Sequence, residues 1–240
     1  MGVFPNIESI KFEGLNFTHE GHDPILKNTD FDFPMNEIVW IKGIEGQGKS
    51  TLLQILAGLE MPQSGLLYFN DVNVLELTFE EFLPYRLAMG YTFDYGGLIS
   101  NRTIFDNLIL PLSYHKVLPD KEAKDRVNEI INIFDIKKFS DERPAHIPGR
   151  VRKLACLLRA LVMRPQLLLM DDPSVGLGQD TLHTFVDYIH NLRKEGFIKH
   201  IFMSSYDEKY MNLFSYQIVH IDGGQLYLQR VDQEKRVVHL

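Results

Sequence analysis

Residues 43–50 read Gly-Ile-Glu-Gly-Gln-Gly-Lys-Ser and satisfy the pattern G-x-x-x-x-G-K-[ST] in full. The apolar stretch Ile38–Ile41 comes directly before this segment, and a helical pattern over Ser50–Leu59 follows it, closed by Gly58 and Pro62. A buried strand, a glycine-rich loop and a helix in that order let backbone N–H groups surround phosphate oxygens. The segment therefore predicts an α/β fold with a loop that binds a nucleoside triphosphate.

The loop gives a role to each of its small and charged residues. The glycines allow the backbone to curl around the phosphates, and Lys49 places a point charge between the β- and γ-phosphates. Ser50 supplies a hydroxyl for Mg²⁺. The predicted nucleotide-binding residues of the loop are Gly43, Glu45, Gly46, Gln47, Gly48, Lys49, Ser50 and Thr51.

Strands that alternate with helices along the rest of the chain predict a parallel α/β sheet. The short apolar run Leu167–Met170 is a predicted strand, and Thr181–Lys194 is an amphipathic helix that ends before Gly196. A helical stretch at about 95–165, including a helix that begins at Asp120, is predicted to be a lobe inserted before Leu167–Met170 in a single domain, 1–240. Further strands are predicted at Ser9–Phe12, Ile25–Phe33, Leu66–Phe69, Ala88–Phe93, Ile201–Met203, Gln217–Ile221 and Gln225–Leu228.

Composition argues against several classes of function. The net charge of −7 disfavours nucleic acid as a partner. The single cysteine, Cys156, excludes an internal disulfide, and its apolar helical setting favours a buried structural thiol over a reactive one. No apolar run reaches the ~18–20 residues of a membrane span, and no secretory signal is expected.

A carboxylate follows the predicted strand Leu167–Met170. At the carboxyl end of a parallel strand beside a phosphate loop, Asp171 can face Mg²⁺ directly or through a water molecule. The alternative is a turn or helix-capping aspartate, because Pro173 and Ser174 follow. The phosphate loop favours the metal role.

Several short segments resemble the nucleotide-binding domain of ABC transporters, over essentially the whole chain. They are Ile55–Leu59, Pro62–Gly65, Gly90–Phe93, Arg159–Leu161 and Leu168–Pro173. Within that family, Phe105–Leu108 with Pro111, Leu112, Leu118 and Pro119 resembles the lipid-transport ATPases of the lipid-asymmetry, Mce-associated type.

The resemblance implies a fold, ligands and partners. The fold is the P-loop ABC-ATPase fold: a mostly parallel core sheet, an N-terminal antiparallel β subdomain and an inserted helical lobe. The ligands are ATP and Mg²⁺. The partners are a second ABC subunit, in a homodimer or a heterodimer, and integral-membrane permease subunits, so the chain is expected at the cytoplasmic face of the membrane. The tail Gln233–Leu240 is a candidate contact for a partner.

Carried onto this sequence, the resemblance assigns residues that differ from those usual in the family. The aromatic ring that stacks on adenine corresponds to His19, with Phe17 two residues earlier, and a polar loop histidine is the equal alternative. The glutamine that senses Mg²⁺ and water corresponds to Asp94, which can ligate Mg²⁺ but donates no hydrogen bond. Unless neutralised, it would also repel the γ-phosphate. The glutamate base corresponds to Asp172, on a shorter stem, and the switch histidine to Tyr206, which accepts no proton near neutral pH.

The segment that would contact the partner subunit's nucleotide is also altered. Ile147–Val151 occupies the place of the Leu-Ser-Gly-Gly-Gln signature, so Pro148, Gly149 and Arg150 are the predicted trans contacts. Pro148 lacks both a hydroxyl and an N–H. Arg150 replaces a glycine where the backbone must approach closely, and it can instead contact phosphate as a cation. Arg152 and Lys153 are expected only on a solvated face. Gly178 stands where the family has an aspartate between subunits.

Two functions follow from these differences. The first is a pseudo-ATPase that holds ATP in a membrane complex, of the lipid-transport type, with weak or absent hydrolysis. The alternative is an active transport ATPase with Asp172 as base and with Asp94 and Tyr206 as substitute contacts to Mg²⁺ and the γ-phosphate. A soluble ABC protein that acts on DNA or ribosomes is disfavoured by the single cassette and the acidic charge. The altered positions favour the first function.

Overall fold

The computed structural model describes residues 4–94 and 97–231. The candidate partner contact at Gln233–Leu240 lies outside the described residues. The described strands are β1 Ile10–Phe17, β2 Leu26–Asp32, β3 Ile38–Lys42, β4 Ser64–Phe69, β5 Val72–Asn73, β6 Met89–Thr92, β7 Leu167–Met170, β8 His200–Ser204, β9 Gln217–Asp222 and β10 Gln225–Gln229. The helices are α1 Lys49–Leu56, α2 Phe79–Leu87, α3 Ile104–Tyr114, α4 Asp120–Ile133, α5 Gly149–Leu161, α6 Gln179–Lys194 and α7 Glu208–Met211.

The strands form two sheets. Strands β2-β1-β4-β5 make an antiparallel sheet near the N-terminus. Strands β10-β9-β3-β8-β7-β6 make the central sheet, in which every pairing is parallel except that of the edge strand β10 with β9. The predicted α/β class, with a mostly parallel core sheet and an antiparallel N-terminal sheet, is confirmed.

The central strands are buried on both faces, as uninterrupted apolar runs predict. Alternate residues of β3 enter two different cores: Trp40 joins the core under helices α3 to α6, whereas Val39 and Ile41 join the core shared with α1 and the antiparallel sheet. The helices between β6 and β7 thus cover one face of the sheet. No helix in the described ranges is both long and apolar enough to cross a membrane.

Helix α2 was missing from the sequence-based prediction. It begins after Thr78, whose side chain accepts a hydrogen bond from Glu81 N while the Glu81 carboxylate accepts one from Thr78 N, a complete capping box. The pair fits the T-x-x-E signal of a helix start. Pro84 and the exposed Phe79 obscured the helical pattern in the sequence.

The parallel register gathers four strand ends at one edge of the sheet. The carboxyl ends of β3, β8, β7 and β6 lie side by side, and the phosphate loop follows β3 directly. In open α/β sheets, ligands bind at this edge. The loops after these four strands therefore form the candidate site.

Candidate functional site

The backbone conformation of the phosphate loop favours the binding of an anion. Gly46 and Gly48 adopt left-handed conformations, with φ of 82° and 88°, and α1 begins at Lys49 with no acidic residue in its first turn. Successive turns of this kind point N–H groups into a common concavity, and the positive end of a helix adds to the attraction. The residues present therefore fit a bound phosphate group.

Lys49 lies inside this loop with its three N–H donors occupied. Its Nζ donates to Gly43 O at 3.0 Å, to Ile44 O at 2.9 Å and to the Tyr206 hydroxyl at 2.9 Å. The same ammonium lies 4.4 Å from the centre of the Tyr206 ring. The residue is only 6% exposed. The structure thus places the predicted switch residue directly against the loop lysine.

Asp171 is buried and fixed by a neighbouring strand. The Ser204 hydroxyl donates to Asp171 Oδ1 at 2.6 Å and accepts from Asp172 N at 3.1 Å. Ser204 was not among the predicted site residues; its position at the end of β8, two residues before Tyr206, was the available signal. Beside it, Trp40 Nε1 donates to Ser205 O at 3.0 Å, which attaches the same segment to β3.

Asp172, the predicted base, has an unusual backbone and a perturbed carboxyl group. Its φ of 40° is left-handed, a conformation that aspartate tolerates better than most residues. Its Oδ1 accepts from Tyr206 N at 3.2 Å. Burial and the charge of Asp171 raise the pKa of Asp172 and Asp94 adds to this, while the Tyr206 N–H and Lys49 oppose the rise.

Asp94 contributes to the electrostatic environment of Asp172, and its carboxylate forms an ion pair with a lysine. Thr92 pairs with Met170 in the parallel β6–β7 register. Asp94 and Asp172 each follow this pair by two residues, so they lie at the same end of neighbouring strands. Lys153 of α5 donates from Nζ to Asp94 O at 2.7 Å and lies 3.4 Å from Asp94 Oδ1. Lys153 had been assigned only to a solvated face in the sequence-based interpretation; its side chain is in fact mostly buried.

The predicted adenine contacts differ in accessibility. A hydrogen bond of 3.1 Å joins His19 Nε2 and Thr51 Oγ1, so His19 is attached to helix α1 next to the phosphate loop. Phe17 is 3% exposed and meets the His19 ring edge-on, with 4.9 Å between the ring centres. Of these two predicted contacts, His19 is exposed, whereas Phe17 is buried and packs against the His19 ring from the core.

The predicted trans residues lie away from Lys49, around the start of α5. Pro148 precedes the helix, and its carbonyl accepts from Val151 N and Arg152 N. Gly149 lines a cleft together with Asp94, and Arg150 lines a different groove beside Asp180. Gly178 is the residue before α6. Among the described residues, no hydrogen bond or ion pair joins Pro148, Gly149 or Arg150 to Lys49.

The remaining loop residues border a second cleft. Glu45 and Gln47 line it with Asp222, and Gln47 Oε1 accepts from Ile44 N at 2.8 Å. Ser50 is exposed at the start of α1. The structure therefore brings together Lys49, Ser50, Asp171, Asp172 and Tyr206, with Asp94 and His19 at the margins.

Comparison with known proteins assigns the family. A family model described as ABC transporter matches residues 26–175. The chain belongs to the ABC transporter family. The methionine import ATP-binding protein of Acinetobacter baylyi is 28% identical over 227 residues, which are 92% of this chain and 62% of that protein. The lipoprotein-releasing system ATP-binding protein of Bacteroides fragilis is 28% identical over 219 residues, 90% of this chain and 99% of that one.

Solved structures support the fold. A dimeric ATP-binding cassette in a post-hydrolysis state with ADP and Pi aligns with a TM-score of 0.81 and 23% identity, over 92% of this chain and 98% of that one. At this level of identity the likeness establishes the fold alone. The chain spans 52–63% of the length of three of its import relatives.

Proposed function

We propose that this chain is the ATP-binding subunit of a membrane ABC transporter complex and that it holds Mg²⁺-ATP with weak or absent hydrolysis. The observation that carries the proposal is the phosphate loop itself. Gly46 and Gly48 have the backbone that the loop requires, and Lys49 lies within it. The groups that would cleave the nucleotide, Asp172 and Tyr206, depart from the family's usual residues.

The residues that hold the nucleotide are available. The loop amides and Lys49 bind the phosphates, Thr51 lies near them, and His19 faces the base. Ser50 and Asp171 provide an alcohol and a carboxylate for Mg²⁺. Mg²⁺ at this position neutralises phosphate charge. Displacing one of the three neutral acceptors of Lys49 by a phosphate oxygen is favourable, because the anionic oxygen adds attraction between opposite charges to the hydrogen bond.

The residues that would promote hydrolysis are less suited to the task. The Asp172 carboxylate already accepts a backbone N–H, and its stem is one methylene shorter than that of glutamate. A water displaced by about 1 Å can cost on the order of 10²-fold in rate. The Tyr206 hydroxyl accepts from Lys49 and so keeps its own O–H to donate to a phosphate oxygen, but a phenol lacks the basic ring nitrogen with which a histidine takes up a proton.

A melting experiment tests nucleotide binding. Mg²⁺-ATP at about a hundred times its Kd is expected to stabilise the wild-type chain by about 2.7 kcal/mol, or roughly 5–11 °C. Lys49→Ala is expected to lose most of this shift. Lys42→Ala is the matched control, because Lys42 ends β3 just before the loop and pairs with Glu208. Equal ATP-dependent shifts in all three proteins would refute the proposal.

Phosphate release decides between the two candidate functions. Wild-type release no faster than that of Asp172→Asn supports ATP holding without turnover. Mg²⁺-dependent release well above that variant would favour the alternative, an active ATPase that uses Asp172 as base with Asp94 and Tyr206 as substitute contacts. The same assay on Tyr206→Phe then reports whether the phenol takes part.

Exposed apolar side chains around the phosphate site support a second ABC subunit. Ile44 in the loop, Val175 after β7 and Tyr206 are all exposed. Such residues on one face are typical of a protein contact. ATP-dependent dimerisation of Asp172→Asn in size-exclusion chromatography is expected, and Ile44→Ser should weaken it.

A groove of about 380 Å³ between α2, α3 and α5 supports a permease partner. Phe79 and Tyr114 at its mouth are 64% and 76% exposed, and its charged lining consists of Arg86 and Arg159, with His115 beside them. An amphipathic segment of a membrane subunit fits this chemistry, which would hold the chain at the cytoplasmic face of the membrane. Phe79→Ser is expected to reduce co-purification with a permease subunit expressed together with the chain.

We propose that the cargo of the complex is linked to a lipid, on the basis of two observations. The segment Phe105–Leu108 and its prolines resemble lipid-transport ATPases, and one relative that the chain covers almost completely serves a lipoprotein-releasing system. Relatives that import methionine are 28–31% identical, at least as similar as the lipoprotein-releasing relative at 28%. Stimulation of the assembled complex by lipid, compared with stimulation by methionine, tests the cargo class.

A further inference from the structure

Asp94 places a negative charge close to the candidate phosphate site. Thr92 pairs with Met170, so the loop that carries Asp94 follows β6 beside the loop that carries Asp172, and Asp94 lines one cleft with Val175 and Gly176. The charge of Asp94 also contributes to the raised pKa of Asp172. A bound triphosphate brings further negative charge to the same edge of the sheet. An uncompensated carboxylate at Asp94 would therefore oppose binding of the terminal phosphate most strongly.

The contact with Lys153 differs from the other ion pairs of the described residues. The side chains of Lys153 and Asp94 are 10% and 31% exposed, whereas both members of each other pair are at least 40% exposed. Lys153 also donates to the Asp94 carbonyl at 2.7 Å, so it fixes the backbone as well as the charge. A partly desolvated pair is screened less by salt than a surface pair.

The position of Lys153 connects two parts of the fold. It belongs to α5, the helix that begins directly after Pro148, while Asp94 follows β6 of the central sheet. The neighbouring Arg152 instead donates to Pro144 O and is exposed. Of the three cations in this stretch of the helix, Lys153 is the one that reaches the loop after β6.

We infer that Lys153 is a positioning residue for the nucleotide site, which neutralises Asp94 and thereby allows the site to accept a nucleoside triphosphate in preference to a diphosphate. The inference rests on the proposed ATP binding. It also explains how aspartate is tolerated at a position where the charge alone would be unfavourable. Lys153 acts through Asp94 and makes no contact with the reacting atoms.

Binding of ATP and ADP to purified variants tests the inference, with Kd values from calorimetry at fixed Mg²⁺ and salt. Lys153→Gln is expected to weaken ATP binding about 10-fold while ADP binding changes much less, because the released charge lies nearest the terminal phosphate. Lys153→Arg should retain the wild-type ratio. Asp94→Asn in the Lys153→Gln background should restore ATP binding. Arg152→Gln is the matched control, since it removes one cation from the same helix.

Each outcome has a distinct meaning. A selective loss of ATP affinity with rescue by Asp94→Asn supports the inference. Equal changes for ATP and ADP, failure of the rescue, or an effect no larger than that of Arg152→Gln would overturn it while leaving ATP binding intact. If the wild-type chain bound neither nucleotide, the proposed function would fail as well.

Discussion

The packing of Ile25 against the phosphate loop yields a quantitative prediction. A Cβ atom at Gly48 would lie 2.3 Å from Ile25 Cγ2 and 2.9 Å from Cγ1 and Cδ1, whereas one at Gly46 would meet nothing within 4 Å. Both glycines have positive φ, so alanine at either position adds a backbone cost of about 1–2 kcal/mol. Only Gly48→Ala adds overpacking of about 1–3 kcal/mol, because branched Ile25 cannot move aside freely.

Unfolding of the nucleotide-free chain measures this difference. Gly48→Ala is expected to be about 1–3 kcal/mol less stable than Gly46→Ala, a gap of roughly 2–12 °C in melting temperature. In a double-mutant cycle, Ile25→Ala should cost less beside Gly48→Ala than alone, with a coupling energy of similar size. Equal destabilisation by the two glycine substitutions, or additivity with Ile25→Ala, would refute the reasoning.

Three further substitutions have expected outcomes of their own. Asp172→Asn should raise the melting temperature by up to ~4 °C at pH 7, because it removes a carboxylate whose charge burial and Asp171 disfavour, and partly exposed charge pairs contribute at most about 1 kcal/mol. Because the folded-state pKa of Asp172 is raised above 3.8, the gain should fade as the pH falls through that pKa and the carboxyl group becomes protonated. Burial lowers the pKa of His200 to about 4 from 6.5. The wild-type chain should therefore lose about 3 kcal/mol of unfolding free energy, measured in urea, between pH 6.5 and 4; His200→Asn should lose less, and exposed His22→Asn should behave as wild type. Thr78→Ala should cost about 1 kcal/mol through the lost helix cap, and Thr78→Ser should not.

Local patterns in the sequence were sufficient for much of the fold and the phosphate-binding part of the site. The apolar runs of β3 and β7 are short, unbroken and followed by glycines or carboxylates, so their place in the sheet and the positions of Lys49 and Asp171 could be predicted. The antiparallel N-terminal sheet came from the family resemblance. Both inferences depend on neighbouring residues or on a recognisable motif.

The rest of the site depends on contacts between residues far apart in the chain. Lys153 and Asp94 are separated by 59 positions, and Ser204 and Asp171 by 33. No local periodicity distinguishes a buried lysine from one on a solvated face when both occupy the same helix. Likewise, the sequence did not show which of His19 and Phe17 is accessible; the structure shows that Phe17 is buried and that His19 is exposed.

The hydrogen bond between Trp40 and the Ser205 carbonyl has a spectroscopic consequence. Trp40 is the only tryptophan in the sequence, it is buried, and its indole N–H is held by the residue that precedes Tyr206. Indole emission depends on the polarity and hydrogen bonding around the ring, so a displacement of this segment changes its wavelength or intensity. The native chain therefore carries its own fluorophore beside the segment that holds Tyr206, and stopped-flow emission can time a ligand-induced movement of that segment without an added dye.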